Sequence, residues 1–325
     1  MAEVKRRILV TGATGLIGSS IAEQLLAAGN SEVYAAGRDE SHARERFTDA
    51  WENPLFHFVK YDVRTPLDSD IHFDYIIHCA SGACPAAFAT DPVGVMMANI
   101  DGLRLLLEYG RTHSMRRLVY VSSGEVYGEP TVKGADTVWK EDESGYVDPM
   151  TPRSCYPSAK RASETLCAAY AAQFGTDVVV ARPCHTYGPH FSPRDNRAFV
   201  QFLLKATAGE DIVLKSRGEQ FRSWLYVEDC ARAILTIMEK GKSGEAYNVA
   251  DETQCVSIRD FAQSIADICG VSLTFDLPTA NEAKGFSRVS RTVYCTDKLR
   301  ALGWAPQYTL ATGLAATISK IKNSK

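Results

Sequence analysis

The chain has 325 residues, 45% apolar and 23% charged, a composition that excludes disordered, collagen-like and disulfide-scaffold proteins. Its 36 basic and 39 acidic side chains leave a formal charge of −3, which gives no electrostatic reason to expect nucleic acid or an anionic membrane as partner. No apolar run approaches the roughly 20 residues of a membrane span, and the run Ile8-Leu9-Val10 is too short for a secretion signal, so a cytoplasmic protein is expected.

Short Val-, Ile- and Tyr-rich runs at 7–11, 32–36, 56–61, 75–79, 117–122 and 177–182 read as strands. Helix-period stretches at 16–28, 91–113 and 156–174 lie between them, each long enough to cross over a sheet. That alternation predicts an α/β fold built on a doubly wound parallel sheet. Punctuation thickens after Arg182-Pro183, so a dinucleotide-type domain is expected over 1–183, with a return segment near 222–252. A smaller α/β substrate domain takes most of 184–325, with helices at 196–208, 228–240 and 257–269. Residues 130–152 form a long polar insertion with few apolar anchors, read as a lid, a binding loop or a mobile segment. The nine cysteines show no metal-ligand spacing, and are expected as reduced, mostly buried thiols with no metal.

Thr11-Gly12-Ala13-Thr14-Gly15-Leu16-Ile17-Gly18 follows the first strand and opens the first helix. Glycines there let the backbone approach a pyrophosphate at a helix N-terminus, as in the Rossmann arrangement. The second strand ends in Arg38-Asp39 rather than in a lone acid. Arg38 suits a 2′-phosphate and so NADP, whereas Asp39 favours NAD.

Tyr156-Pro157-Ser158-Ala159-Lys160 places a phenol and an ammonium on one helix face. A lysine beside a nicotinium charge favours the phenolate that accepts a proton from a sugar hydroxyl. Tyr294-Cys295-Thr296-Asp297-Lys298 repeats the spacing, and among 14 tyrosines about one chance match is expected. Position favours Tyr156, at the start of a crossover helix, over Tyr294, outside the nucleotide domain. Ser123, at the C-terminal end of the fifth strand, is placed to hold the reacting oxygen that Tyr156 deprotonates.

With these motifs the chain resembles the extended short-chain dehydrogenase/reductases of the nucleotide-sugar epimerase/dehydratase family. Asn99 before Gly102, Arg182-Pro183 before Tyr187-Gly188-Pro189, the run Arg222 to Asp229, and Leu302-Gly303-Trp304 with Pro306 carry the resemblance over nearly the whole chain. It implies cofactor contacts from Gly12, Thr14, Gly15, Leu16, Ile17, Gly18, Arg38, Asp62, Val63, Ala80, Ser81, Asn99, Tyr156, Lys160 and Pro183. It implies substrate contacts from Ser123, Glu125, His185, Arg222, Asn248 and Arg291, and a homodimer through the helices at 91–113 and 156–174.

The sugar 4,6-dehydratases it resembles carry Asp-Glu where this chain has Gly124-Glu125, so a donor for a departing C6 hydroxyl is missing. His185 stands where many relatives have asparagine. The resemblance therefore implies, first, a nucleotide-sugar epimerase that oxidises C4 through Tyr156, Ser123 and Lys160 with bound NAD, slightly preferred over NADP. Decarboxylation of a nucleotide-linked uronic acid, with Glu125 in the catalytic set, is the nearest alternative. A net NADP-dependent keto-sugar reductase and a non-catalytic nucleotide sensor stand further off.

Overall fold

The computed structural model describes residues 5–131, 137–191, 195–277 and 291–323. Part of the expected insertion, 132–136, lies outside them. The chain opens as β1 (Arg6–Thr11), α1 (Leu16–Ala28), β2 (Ser31–Gly37), α2 (Glu40–Arg46), β3 (Phe56–Lys60) and β4 (Tyr75–His78). It continues through α3 (Pro85–Thr90), α4 (Pro92–Thr112), β5 (Arg117–Val121), β6 (Val138–Trp139), α5 (Cys155–Phe174), β7 (Val178–Pro183) and β8 (His185–Tyr187). Then come α6 (Ala198–Thr207), β9 (Ile212–Leu214), β10 (Phe221–Tyr226), α7 (Val227–Lys240) and β11 (Ala246–Val249). The last elements are β12 (Cys255–Ser257), α8 (Ile258–Cys269), β13 (Leu273–Phe275), β14 (Arg291–Tyr294), α9 (Asp297–Ala301) and α10 (Leu310–Asn323).

Seven strands form one parallel sheet in the order β11-β7-β5-β4-β1-β2-β3. Its strands are apolar on both faces because helices cover both. Ile8 and Val10 pack with α1 and α7, while Leu9 and Ile76 pack with Leu103, Leu106 and Leu107 of α4. Each such fully buried aliphatic side chain contributes about 1.5–3 kcal/mol. The chain order reverses between β1 and β4, and the C-terminal ends of these strands open the crevice where a ligand sits in such sheets. β11 returns to this sheet after the chain has left it, and α7 packs against α1.

A second sheet, β12-β10-β14-β6 with β8 beside β10, and a β13-β9 pair complete the fold. Here Trp224, Phe261, Tyr187 and Tyr226 build a separate aromatic core with α6, α8 and α10. Two expectations change. The insertion carries an apolar anchor: Trp139 is 5% exposed and stacks on Tyr127 at 5.1 Å. Asp39 caps α2, its carboxylate accepting from the Ser41 and His42 backbone and from the Ser41 hydroxyl. A carboxylate so engaged is not a free ribose ligand.

Candidate active site

Ser123 lies two residues past the end of β5, where the chain turns sharply, and its side-chain oxygen accepts the Glu125 N–H at 3.2 Å. Arg161 of α5 donates to the carbonyls of Val126, Tyr127 and Gly145, clamping that turn to the helix that carries Tyr156. Behind them Glu164 accepts from Ser122 and pairs with Arg182 at 2.7 Å. The seryl and phenolic hydroxyls are thereby held by one rigid unit of strand end and helix.

Ser123 and Ser81 lie beside the Tyr156 phenol, close enough to favour its ionised form. Burial, and then the Glu125 charge, push this phenol up to about 12, with the two serines and Arg197 pulling the other way. Its ring stacks on Phe88 at 4.9 Å. The Lys160 ammonium donates to the Val121 carbonyl at 2.9 Å and sits 5.7 Å from the Tyr156 ring centre. Burial pulls that ammonium down to about 7. A lone buried cation so destabilised gains from any nearby anion, which suits a phenolate.

The glycine turn is shaped for a close ligand. Gly12 has φ +66°, and a Cβ there would lie 2.7 Å from the Ala80 backbone; one at Gly18 would lie 2.3 Å from the Gly12 carbonyl. Gly15 starts α1 in an extended conformation with no side chain capping the first turn. Leu16 and Ile17 enter the helix, and Thr14 lies against Gly37. Ser81 donates to Asn99 at 2.9 Å, and Asn99 donates on to the Val95 carbonyl. Val63 packs on Gly102 beside Asp62, whose carboxyl is held at about 2 chiefly by its hydrogen bonds from Arg64. Together these residues fit a dinucleotide: a bare turn for its pyrophosphate, and Tyr156 and Lys160 at its reactive end.

Arg38 is exposed at the end of β2. If it meets the adenosine ribose, Arg38→Ala lowers NADP affinity about tenfold while NAD affinity stays within about twofold, read by fluorescence titration of each cofactor. An unchanged NADP-to-NAD ratio removes Arg38 from cofactor choice.

A cavity of about 390 Å³ opens in front of Tyr156, lined by Ser123, Glu125, Pro183, His185, Arg222 and Trp224, among others. His185 is enclosed by protein yet exposes its ring to the cavity; burial, with Arg222 and Arg197 near, holds its pKa at about 3, so it is neutral. Arg222 is 7% exposed. Arg291 starts β14 beside Phe221 and does not line this cavity. A larger groove of about 730 Å³ is lined by none of Ser123, Tyr156 and Lys160, and four of its charged residues pair with one another as Arg182–Glu164 and Lys298–Glu245.

Asn248 departs from its expected substrate role. It is fully buried, donates to the Trp139 and Cys295 carbonyls, and accepts from the Tyr127 hydroxyl at 2.6 Å. Its capacity is spent tying β11 to the second sheet, away from the cavity. Two residues escaped the sequence reading. Arg153 pairs with Glu125 at 3.1 Å and lies over Phe88, fixing the carboxylate at the cavity rim. Tyr294, set aside as a chance match, lines the cavity. Bare Gly124 was the available signal, since a missing side chain leaves room for another.

Comparisons with known proteins agree with this geometry. The profile of the NAD dependent epimerase/dehydratase family matches residues 8–250. UDP-glucuronic acid decarboxylase 1 of Xenopus tropicalis is 32% identical over 97% of this chain and 72% of its own length. UDP-glucuronic acid decarboxylase 6 of Arabidopsis thaliana is 29% identical over 95% of this chain and 86% of its own. Among solved structures, UDP-glucose 4-epimerase of Thermotoga maritima superposes with a TM-score of 0.81 at 25% identity, covering 98% of this chain and 99% of that one.

Proposed function

Because the chain belongs to the NAD-dependent epimerase/dehydratase family and is an NAD-dependent enzyme of that type, we propose that it decarboxylates a UDP-linked uronic acid through a 4-keto intermediate. The observation that carries this reading is the pairing of Gly124 with Glu125. A Cβ at 124 would lie 2.2 Å from the Tyr294 hydroxyl, so no acid for expelling a C6 hydroxyl fits there, while Glu125 stays at the cavity. The decarboxylases among the relatives support the same choice. Sequence reasoning ranked C4 epimerisation first; that reaction asks nothing of Glu125 or Arg153.

Bound NAD supplies a reversible hydride acceptor for C4. Ser123 holds O4 while Tyr156 removes its proton, and Lys160 favours the phenolate that results. The ketone at C4 is β to the C6 carboxylate, so the C5–C6 bond breaks, its electron pair passes into the enolate at O4, and CO2 leaves. Glu125, half-open to solvent, relays a proton to C5. Tyr156 then returns the proton to O4 as C4 is reduced. The net change is one uronate and one proton in, one pentose and one CO2 out. Val93 and Met97, 70% and 43% exposed on α4, support the further reading that two copies pair through α4 and α5; light scattering reads that directly.

UDP-glucuronate carrying labelled carbon at C6 tests the reaction. Labelled bicarbonate is the expected product by NMR. A uronate isomer with its label retained would instead establish epimerisation.

A further inference from the structure

The second Tyr-x-x-x-Lys has no part in the chemistry above, yet its tyrosine reaches the site. β14 runs parallel to β10 and to β6, and that pairing carries Tyr294 to the turn that follows Ser123. Its side chain is 2% exposed, and its ring lies tilted against Tyr127 at 5.7 Å. The phenol oxygen occupies the space in which a side chain of residue 124 would stand, with Glu125 and Arg222 as its charged neighbours and Cys184 and Tyr127 beside it. No described group hydrogen-bonds this hydroxyl, although it lies in the wall of the cavity. Open to the cavity, the hydroxyl can meet solvent there until a ligand displaces it. A donor facing a cavity with no protein partner is available to a ligand.

The neighbouring groups say which part of a sugar it meets. In the mechanism above Ser123 and Tyr156 share the C4 oxygen, and Tyr294 lies one residue further along the turn, at Gly124. The substituent next to C4 on that side of a hexose ring is C6, two bonds away. Burial first, and then its anionic and thiol neighbours, hold the phenol well above its ordinary pKa, so it remains an O–H donor. A carboxylate only accepts hydrogen bonds, whereas a hydroxymethyl group also presents a proton of its own.

We propose that Tyr294 is a specificity-determining residue that donates its phenolic hydrogen bond to the C6 carboxylate of the bound nucleotide uronate. The bare Gly124 is what admits it. This inference rests on the uronate reading above. A single neutral donor orients the carboxylate about the C5–C6 bond without fixing it in an ion pair, which would hold back its release as CO2. The Glu125 charge next to it is balanced by Arg153.

Calorimetric binding of UDP-glucuronate and of UDP-xylose, which lacks the carboxylate, tests the assignment in NAD-loaded protein. A Tyr156→Phe background prevents turnover. Adding Tyr294→Phe weakens UDP-glucuronate roughly ten- to hundredfold and leaves UDP-xylose within about twofold. Gly124→Ala, whose methyl displaces the phenol, gives the same selective loss without altering the tyrosine. Unchanged uronate binding in Tyr294→Phe, or equal losses for both ligands, overturns the assignment while leaving decarboxylation untouched. If the parent protein binds UDP-xylose but not UDP-glucuronate, the uronate reading and this inference fall together; the labelled-CO2 assay reports on the former independently.

Discussion

Tyr156→Phe lowers kcat by about a thousandfold, the scale expected when a positioned proton acceptor is removed from the transition state. The variant keeps the ring that stacks on Phe88 and loses only the phenolic oxygen. Its melting temperature and its NAD affinity therefore stay within error of the parent. KM for the nucleotide sugar changes little, because the phenol's work is done in the transition state rather than in binding. Steady-state kinetics with a thermal melt and a cofactor titration measure all three. Turnover within about threefold of the parent would show that another group takes the O4 proton.

Gly12→Val abolishes cofactor binding, a loss of at least about a hundredfold in NAD affinity, and lowers the melting temperature by several degrees. Two independent costs meet at this position. The left-handed φ of +66° is strained for any side chain, at about 1–2 kcal/mol. The new Cβ also meets backbone atoms of Ala80, which, unlike a flexible side chain, have nowhere to swing. The chain segment carrying Ala80 and Ser81 must shift, and with it the Ser81 hydroxyl that donates to Asn99. At roughly 1–2 °C per kcal/mol for a chain of this size, the strain alone shifts a melt by a few degrees. Wild-type NAD affinity in this variant would mean that the turn does not cradle the cofactor.

The nucleotide-binding half was legible because its signals are local. A short apolar strand, three glycines and an amphipathic helix adjoin in sequence as they do in space, and Tyr156 and Lys160 share one helix face. The second sheet and the β13-β9 pair were not legible, since β8, β9, β12 and β13 have three residues each, too few to show an alternation. Asn248 misled for a different reason. Its residue type suits a phosphate contact, but the partners that consume its amide, Trp139, Cys295 and Tyr127, come from three distant segments. Tyr294 is the converse case, where repetition of the Tyr-x-x-x-Lys spacing argued for coincidence and only the pairing of β14 with β10 brings the phenol to Gly124. Asp39 was expected to favour NAD because an acid at that point often meets the ribose; its use as the α2 cap depends on the helix that begins with Glu40.

Mass spectrometry of UDP-glucuronate turned over in deuterated water tests the central claim most directly. A 4-keto uronate that loses CO2 takes its new C5 hydrogen from solvent, so the account predicts a UDP-pentose carrying one non-exchangeable deuterium. A product that keeps the carboxylate and contains no carbon-bound deuterium would contradict it, because C4 would then have been inverted without opening the C5–C6 bond.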